Sequence, residues 1–323
     1  MPTSLERFLG TMRCDPTDRP PLWDEGIRDE VWDAWKERGG PSRESFLQEH
    51  PFDRREMTDV DLRPKPDLSD EDASARLRAV PDHYRQSRDE RFPEDWDSRT
   101  RAWIAREFPL GMSVSRGVFL TAGVGTWDTL TGLLYAMYDD PAAVERAMES
   151  AADLSLWLLE QLPPGLSLDY AVLSEPIASF HGPVVSPAHY RRFALPHYRR
   201  LLDHLGSLGV QVMVVQAYGQ IEPLLPLLLE TGFNTLWCSH ATQAGVDYVR
   251  LRHDHGRDLR LIGGIDTEVL RKDRRAIDEE LTTRIRTLLD SGGYLPLLDD
   301  RVRVDVPHDN YTYYRSQLEK VVA

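Results

Sequence analysis

The segment Gly292-Gly-Tyr-Leu-Pro-Leu-Leu-Asp-Asp300 decides the fold class of this 323-residue chain. Tyr294–Leu298 is a short apolar run without alternation, as expected of a strand buried on both faces. Two acids end it, a polar loop follows, and Asp309-Asn310-Tyr311 reads as the cap of a last helix. Five further runs of the same kind lie upstream: Pro109–Val114, Leu168–Leu173, Val210–Val215, Thr235–Trp237 and Leu259–Ile262. Amphipathic patterns separate them, at Pro141–Gln161, Pro187–Leu205, Ile221–Glu230 and Asp273–Leu289. Strand and helix in alternation imply a parallel sheet, and this many repeats predict a closed (β/α)8 TIM barrel over residues 107–323. An open doubly wound sheet is the alternative, but no Gly-x-Gly-x-x-Gly follows an early strand.

Residues 1–106 are rich in charge, Pro and Trp, and predict a helical extension packed on the barrel, one structural unit with it. Ser4, with Leu5, Phe8, Leu9 and Met12 behind it, predicts an N-capped amphipathic helix. Asp15–Pro21 is a loop by its prolines, Glu30–Arg38 a second helix ending at Gly39-Gly40, and Asp67–Glu94 an acidic surface helix. A formal charge of −14 argues against a nucleic-acid partner. The start has no apolar leader and no run is long enough to span a membrane, so a cytoplasmic protein with reduced Cys14 and Cys238 is expected.

Polar residues at strand ends are the candidate site. Gln216 falls on the face of Val212 and Val214, two residues before Tyr218, at the carboxyl end of the middle strand. Glu175 follows another strand; burial there raises a carboxyl pKa and suits it to general acid or base work. Cys238 and His240 lie two apart, but zinc takes three or four ligands at recognised spacing, so no metal site is expected and His240 is read as a hydrogen-bond donor. Asp266 closes Gly263-Gly-Ile-Asp266 as a substrate or cap residue. Trp23 and Arg116 reach the rim from outside the strands. His181 reads as a loop histidine, His253 and His255 as solvated in a polar turn, and His308 as a structural residue before the Asp309-Asn310 cap.

Five segments, in order along the chain, carry a resemblance to the uroporphyrinogen decarboxylase superfamily. They are Glu6–Pro21 with its Asp-Arg-Pro-Pro turn, Tyr138-Asp-Asp-Pro141, Glu175–Pro187 with Gly182-Pro183 and Ser186-Pro187, Gly263–Asp266, and the C-terminal block ending at Tyr311. That superfamily contains the tetrapyrrole decarboxylase and methyltransferases that work with methyl-corrinoids. The departures are specific. The decarboxylase's Arg-Gln-Ala-Gly-Arg-Tyr loop is here Leu22-Trp-Asp-Glu-Gly-Ile-Arg28, acids in place of an anion clamp, so a multiply anionic porphyrinogen is not the expected substrate. The zinc methyltransferases' His-x-Cys is here Gln216-Ala-Tyr218. A less characterised branch has Asp-x-Asp-Gly on that strand and Asp-His near the last; this chain has Gln216, Tyr218 and Asp300 instead.

The resemblance implies an enzyme on a small polar substrate, first of all corrinoid-linked methyl transfer without the family zinc site. His240 and Tyr218 would polarise the methyl-bearing group, and Glu175 or Asp300, the acid favoured over Asp299, would handle a proton. Gln216, Asp266, Arg116 and Trp23 would bind substrate. No cofactor is expected to be bound permanently; a corrinoid would sit on a partner protein, and a homodimer is admitted. The same residues also suit a cofactor-free decarboxylase, with Tyr218 and His240 stabilising a carbanion or enol. A non-catalytic binding barrel is the third reading.

Overall fold

The structure, a computed structural model, describes residues 1–64, 72–86 and 88–323. It is mixed α/β, and the chain packs as two compact units, Glu56–Asn234 and Met1–Arg55 with Thr235–Ala323.

In the Glu56–Asn234 unit, β1 (Glu56–Met57), β2 (Leu110–Ser115), β3 (Tyr170–Glu175) and β6 (Val212–Tyr218) lie side by side in that order, all parallel. A two-residue hairpin, β4 (Ala178–Ser179) and β5 (Gly182–Pro183), stands apart from them. Parallel neighbours need long crossovers, and helices supply them. The crossover after β2 ends in the Pro141–Glu160 helix, where Asp140 caps the first turn and Pro141 takes a position that needs no N–H. The run expected over Pro187–Leu205 is two helices, Pro187–Phe193 and Leu195–Ser207. Pro196 lacks the N–H that would bond across the junction, and the second helix starts afresh there. The acidic stretch Asp67–Glu94 is helical over Ala73–Gln86; its residues 67–71 and 87 lie outside the described residues.

In the other unit, β7 (Thr235–Ser239), β8 (Arg260–Ile262) and β9 (Tyr294–Leu295) are parallel neighbours in that order. The strand expected over Tyr294–Leu298 pairs regularly only to Leu295, because Pro296 has no N–H for the ladder. A single bridge, Ile265 with Leu298, carries the alignment on to the acids. The first helix, Ser4–Arg13, is capped by Thr3 rather than Ser4, in a reciprocal capping box with Glu6. Asp53 fastens the loops: Arg7 and Arg19 reach its carboxylate at 2.9 and 2.6 Å, and the Leu22 N–H donates to it at 2.8 Å. The Asp273–Leu289 helix is α over Arg274–Glu280 and Arg286–Ser291, with a π turn, Leu281–Ile285, between them.

All six expected strands are present. Together with β1 the described parallel strands number four in one unit and three in the other, which gives the parallel α/β class. Closure into eight repeats is a finer statement than these strands make. Among the described residues no helix is long and apolar enough to cross a membrane.

Candidate functional site

At the carboxyl ends of β3 and β6, register separates the candidates. Glu175 aligns with Ala217, and Ser174 with Gln216. Aligned residues of parallel strands share a face, so Glu175 points away from Gln216 and Tyr218. Glu175 turns to the helical layer and is 1% exposed. Its carboxylate accepts the Tyr190 hydroxyl at 3.2 Å, the Val118 N–H at 3.3 Å, and a short hydrogen bond from Tyr198. Burial pushes its pKa up to about 7, against the pull of these three donors. Gly117 makes this approach possible: at φ +72° it sits where an added Cβ would meet the Ser174 carbonyl and lie 2.7 Å from the Glu175 carboxylate. Gln216 and Tyr218 are half-buried on the opposite face, with the Tyr218 ring stacked on Phe180 at 5.8 Å. Arg116, beside the Gly117 turn, donates to the Leu120 carbonyl at 3.4 Å.

In the unit that holds the C-terminus, His240 and Asp300 come together, with Nε2 and Oδ2 3.5 Å apart. His240 follows β7 with φ +53°, a left-handed conformation that costs a non-glycine residue energy and collects at functional sites. Its backbone N–H is tied to the Asp299 carbonyl at 2.6 Å. The ring has a defined proton arrangement. Gln243 Nε2 donates to Glu268 at 3.0 Å, which leaves Gln243 Oε1 to accept from His240 Nδ1 at 3.1 Å. Nδ1 therefore donates to Gln243, and Nε2 faces the Asp300 carboxylate.

The two adjacent acids divide the work. Asp299 is 2% exposed and accepts from the Thr242 N–H at 3.0 Å and from both the N–H and hydroxyl of Thr267 at 3.1 Å. Asp300 is partly open, with Arg303 at 3.5 Å on its other oxygen. Asp266 caps the turn that follows it, accepting from the Glu268 N–H at 3.0 Å, and its own N–H donates to Glu280. Burial works against the Arg284 charge, but Glu280 outweighs it and raises the guanidinium pKa; Arg284 also donates to the Gly264 carbonyl at 2.6 Å. None of Thr242, Gln243, Thr267, Glu280 or Arg284 has a sequence signature, since each acts through a neighbour in space.

A model of the uroporphyrinogen decarboxylase (URO-D) family matches residues 118–314, more than half of the chain. The chain belongs to the uroporphyrinogen decarboxylase family. The curated "Uroporphyrinogen decarboxylase" of Syntrophotalea carbinolica is 25% identical over 209 residues, 63% of this chain and 56% of that relative. The match thus spans little more than half the length of the curated relative. A solved "methyltransferase from Methanosarcina mazei" covers all of both chains at a TM-score of 0.63 and 14% identity, a likeness of fold. This chain is a divergent member of the family.

Against the family's zinc branch, the donor set at the middle strand does not fit the metal: Gln216 and Tyr218 supply neutral oxygens and nitrogen where thiolate and imidazole are needed. Cys238 is fully buried, with its N–H donating to the Tyr248 hydroxyl at 3.0 Å. Among the described residues no group of three or more His, Cys, Asp and Glu side chains is arranged to hold an ion. Trp23 is fixed rather than loose over a rim: it is 3% exposed and stacked on Phe8 at 5.2 Å. Of the two acids in the altered clamp loop, Asp24 accepts from the Tyr311 hydroxyl at 2.6 Å. Burial pushes the pKa of Glu25 up, while Arg301, Arg55 and the Trp237 indole N–H pull it back. Arg55 and Arg301, the cations nearest this loop's acid, have no motif in the sequence to mark them.

Proposed function

We propose that this chain is a uroporphyrinogen decarboxylase-family enzyme that transfers a methyl group from a small polar substrate to a corrinoid on a partner protein, without the family zinc site. It would work as a cytoplasmic (β/α)8 barrel with residues 1–106 as a helical extension. The observation that carries the reading is the His240–Asp300 pair, whose ring is held at Nδ1 by Gln243 with Nε2 turned to Asp300. When a methyl group leaves a heteroatom, that heteroatom gains negative charge and takes a proton. Nε2 of His240, 3.5 Å from the Asp300 carboxylate, is placed to supply that proton. A corrinoid on a docked carrier would supply the acceptor for the methyl group.

The test is anaerobic incubation of the protein and reduced cobalamin with a panel of methylated alcohols, amines and thiols, followed by absorbance spectroscopy. Methylcobalamin should form with one class of donor and fail to form with His240→Asn. A panel without turnover, or equal turnover by the variant, would sink the proposal.

A second reading, decarboxylation without a cofactor, draws on the decarboxylase likeness and on the same proton-donating nitrogen. Uroporphyrinogen itself is the poor candidate, because Asp24 and Glu25 replace the arginine clamp and unpaired buried charges are costly. Anaerobic incubation with uroporphyrinogen should give no stepwise loss of carboxylates by chromatography. Loss above the no-enzyme control would make decarboxylation the leading function.

A further inference from the structure

We infer that residues Trp23–Arg55 build a binding site for a small organic anion with a flat apolar body, anchored on the Arg55 guanidinium. The site is a cleft of about 510 Å³, within the range of small-ligand pockets. Its walls include Trp23, Trp32, Leu47 and Phe52, with Arg54 and Arg55 among them. Trp32 is braced by Trp35 and Phe46, at centroid distances of 5.2 and 5.5 Å, so the aromatic wall is rigid.

Arg55 is the decisive residue. Its guanidinium lies over the rings of both Trp23 and Trp237, at 4.5 and 5.1 Å, and one nitrogen, Nη2, donates to the Asp24 carbonyl at 3.0 Å. Two indoles and one carbonyl fix the plane of the cation, and Nε and Nη1 have no hydrogen-bond acceptor among the described residues. A preorganised guanidinium with donors to spare suits a carboxylate or another oxyanion. The acids that line the cleft do not cancel this charge. Asp53 is held by Arg7, Arg19 and the Leu22 N–H, and Asp24 by Tyr311 and the Gly26 N–H at 2.6 and 2.5 Å. Glu25 acts on Arg55 from outside the cleft, but it is shared with Arg301, 3.8 Å away, and its own charge is disfavoured by burial. What is left is an apolar slot with a cation at its wall.

The probe is 1-naphthoate, with 1-naphthylmethanol as its neutral counterpart, titrated by calorimetry into the full-length protein. Naphthoate should bind saturably and at least roughly tenfold more tightly than the alcohol. Arg55→Gln should abolish that preference. Leu47→Glu, on a half-exposed helix position away from the indole cage, should weaken naphthoate by about tenfold through like charge and leave the alcohol less affected. Unsaturable binding, equal affinity for acid and alcohol, or unchanged naphthoate affinity in folded Leu47→Glu would each overturn the site. His240→Asn should bind naphthoate as the parent does, so failure of the methyl-transfer reading and failure of this site are read separately.

Discussion

Glu175 and His240 both stand at strand ends, and their surroundings are opposite. Glu175 is sealed under two tyrosines with no cation among the groups acting on its carboxyl. His240 is partly open, set among Asp300, Gln243 and, through them, Arg303 and Glu268. A buried carboxyl with only neutral donors holds its proton up to about pH 7 and gives the fold a rigid joint. An imidazole held at Nδ1 by Gln243, with Nε2 3.5 Å from a partly open carboxylate, is placed to pass a proton on. A strand-end position alone, therefore, does not make a residue reactive; the face it occupies decides.

The sharpest test of that contrast is activity. His240→Asn should lower turnover by roughly 10²- to 10⁴-fold, the usual contribution of a positioned acid or base, and Glu175→Gln should leave it within a few fold. Steady-state rates on the substrate identified by the donor panel decide it, and the reverse ranking would move the chemistry to Glu175.

Stability should rank the acids differently. Asp299→Ala removes the acceptor of the Thr242 and Thr267 N–H groups and is expected to cost about 4 kcal/mol in urea unfolding. Asp300→Ala should cost under about 1 kcal/mol; equal costs would refute the division between scaffold and site. Next comes pH. The folded carboxyl of Glu175 holds its proton up to about pH 7, whereas the unfolded one ionises near 4.5. The stability it contributes is complete below pH 4.5 and is lost as pH rises to 7, a change of about 3 kcal/mol. Glu175→Gln should flatten that segment of the stability curve, and an unchanged slope would mean the carboxyl has a partner in its ionised form. The smallest effect is at the backbone: His240→Gly relieves the left-handed conformation and should gain about 1 kcal/mol in thermal unfolding while losing activity. A loss of stability there would show that the ring's contacts outweigh the strain.

The strands were legible because both-face burial writes itself as unbroken apolar runs, and all six of those runs are paired. β1 and the β4–β5 hairpin were not, since two residues have no period to read. β6 runs on to Tyr218, past the end assigned from apolarity, because Gln216 looks like loop while its backbone still belongs to the ladder. At the site, His240 and Asp300 were named from strand-end position and family resemblance. Tyr190 and Tyr198, which define what Glu175 is, sit 15 and 23 residues downstream with no motif to link them. The opposed faces of Glu175 and Gln216 depend on register between strands 41 residues apart, which no local pattern records.

The π turn at Leu281–Ile285 gives the Arg274–Ser291 helix one residue more than an α-helix of the same span would hold. Arg284 lies within it and reaches both Glu280 and the Gly264 carbonyl, while Leu288 beyond it is fully buried. Shortening this stretch by a single codon would restore ideal helical winding and swing everything on one side of the cut by about 100°. Either Arg284 leaves its two anchors or Leu288 leaves the core. The segment should accept exchanges of side chain far more readily than changes in length. A deletion scan across 281–285 in which shortened proteins stayed as soluble and as stable as the parent would show that the extra residue is dispensable.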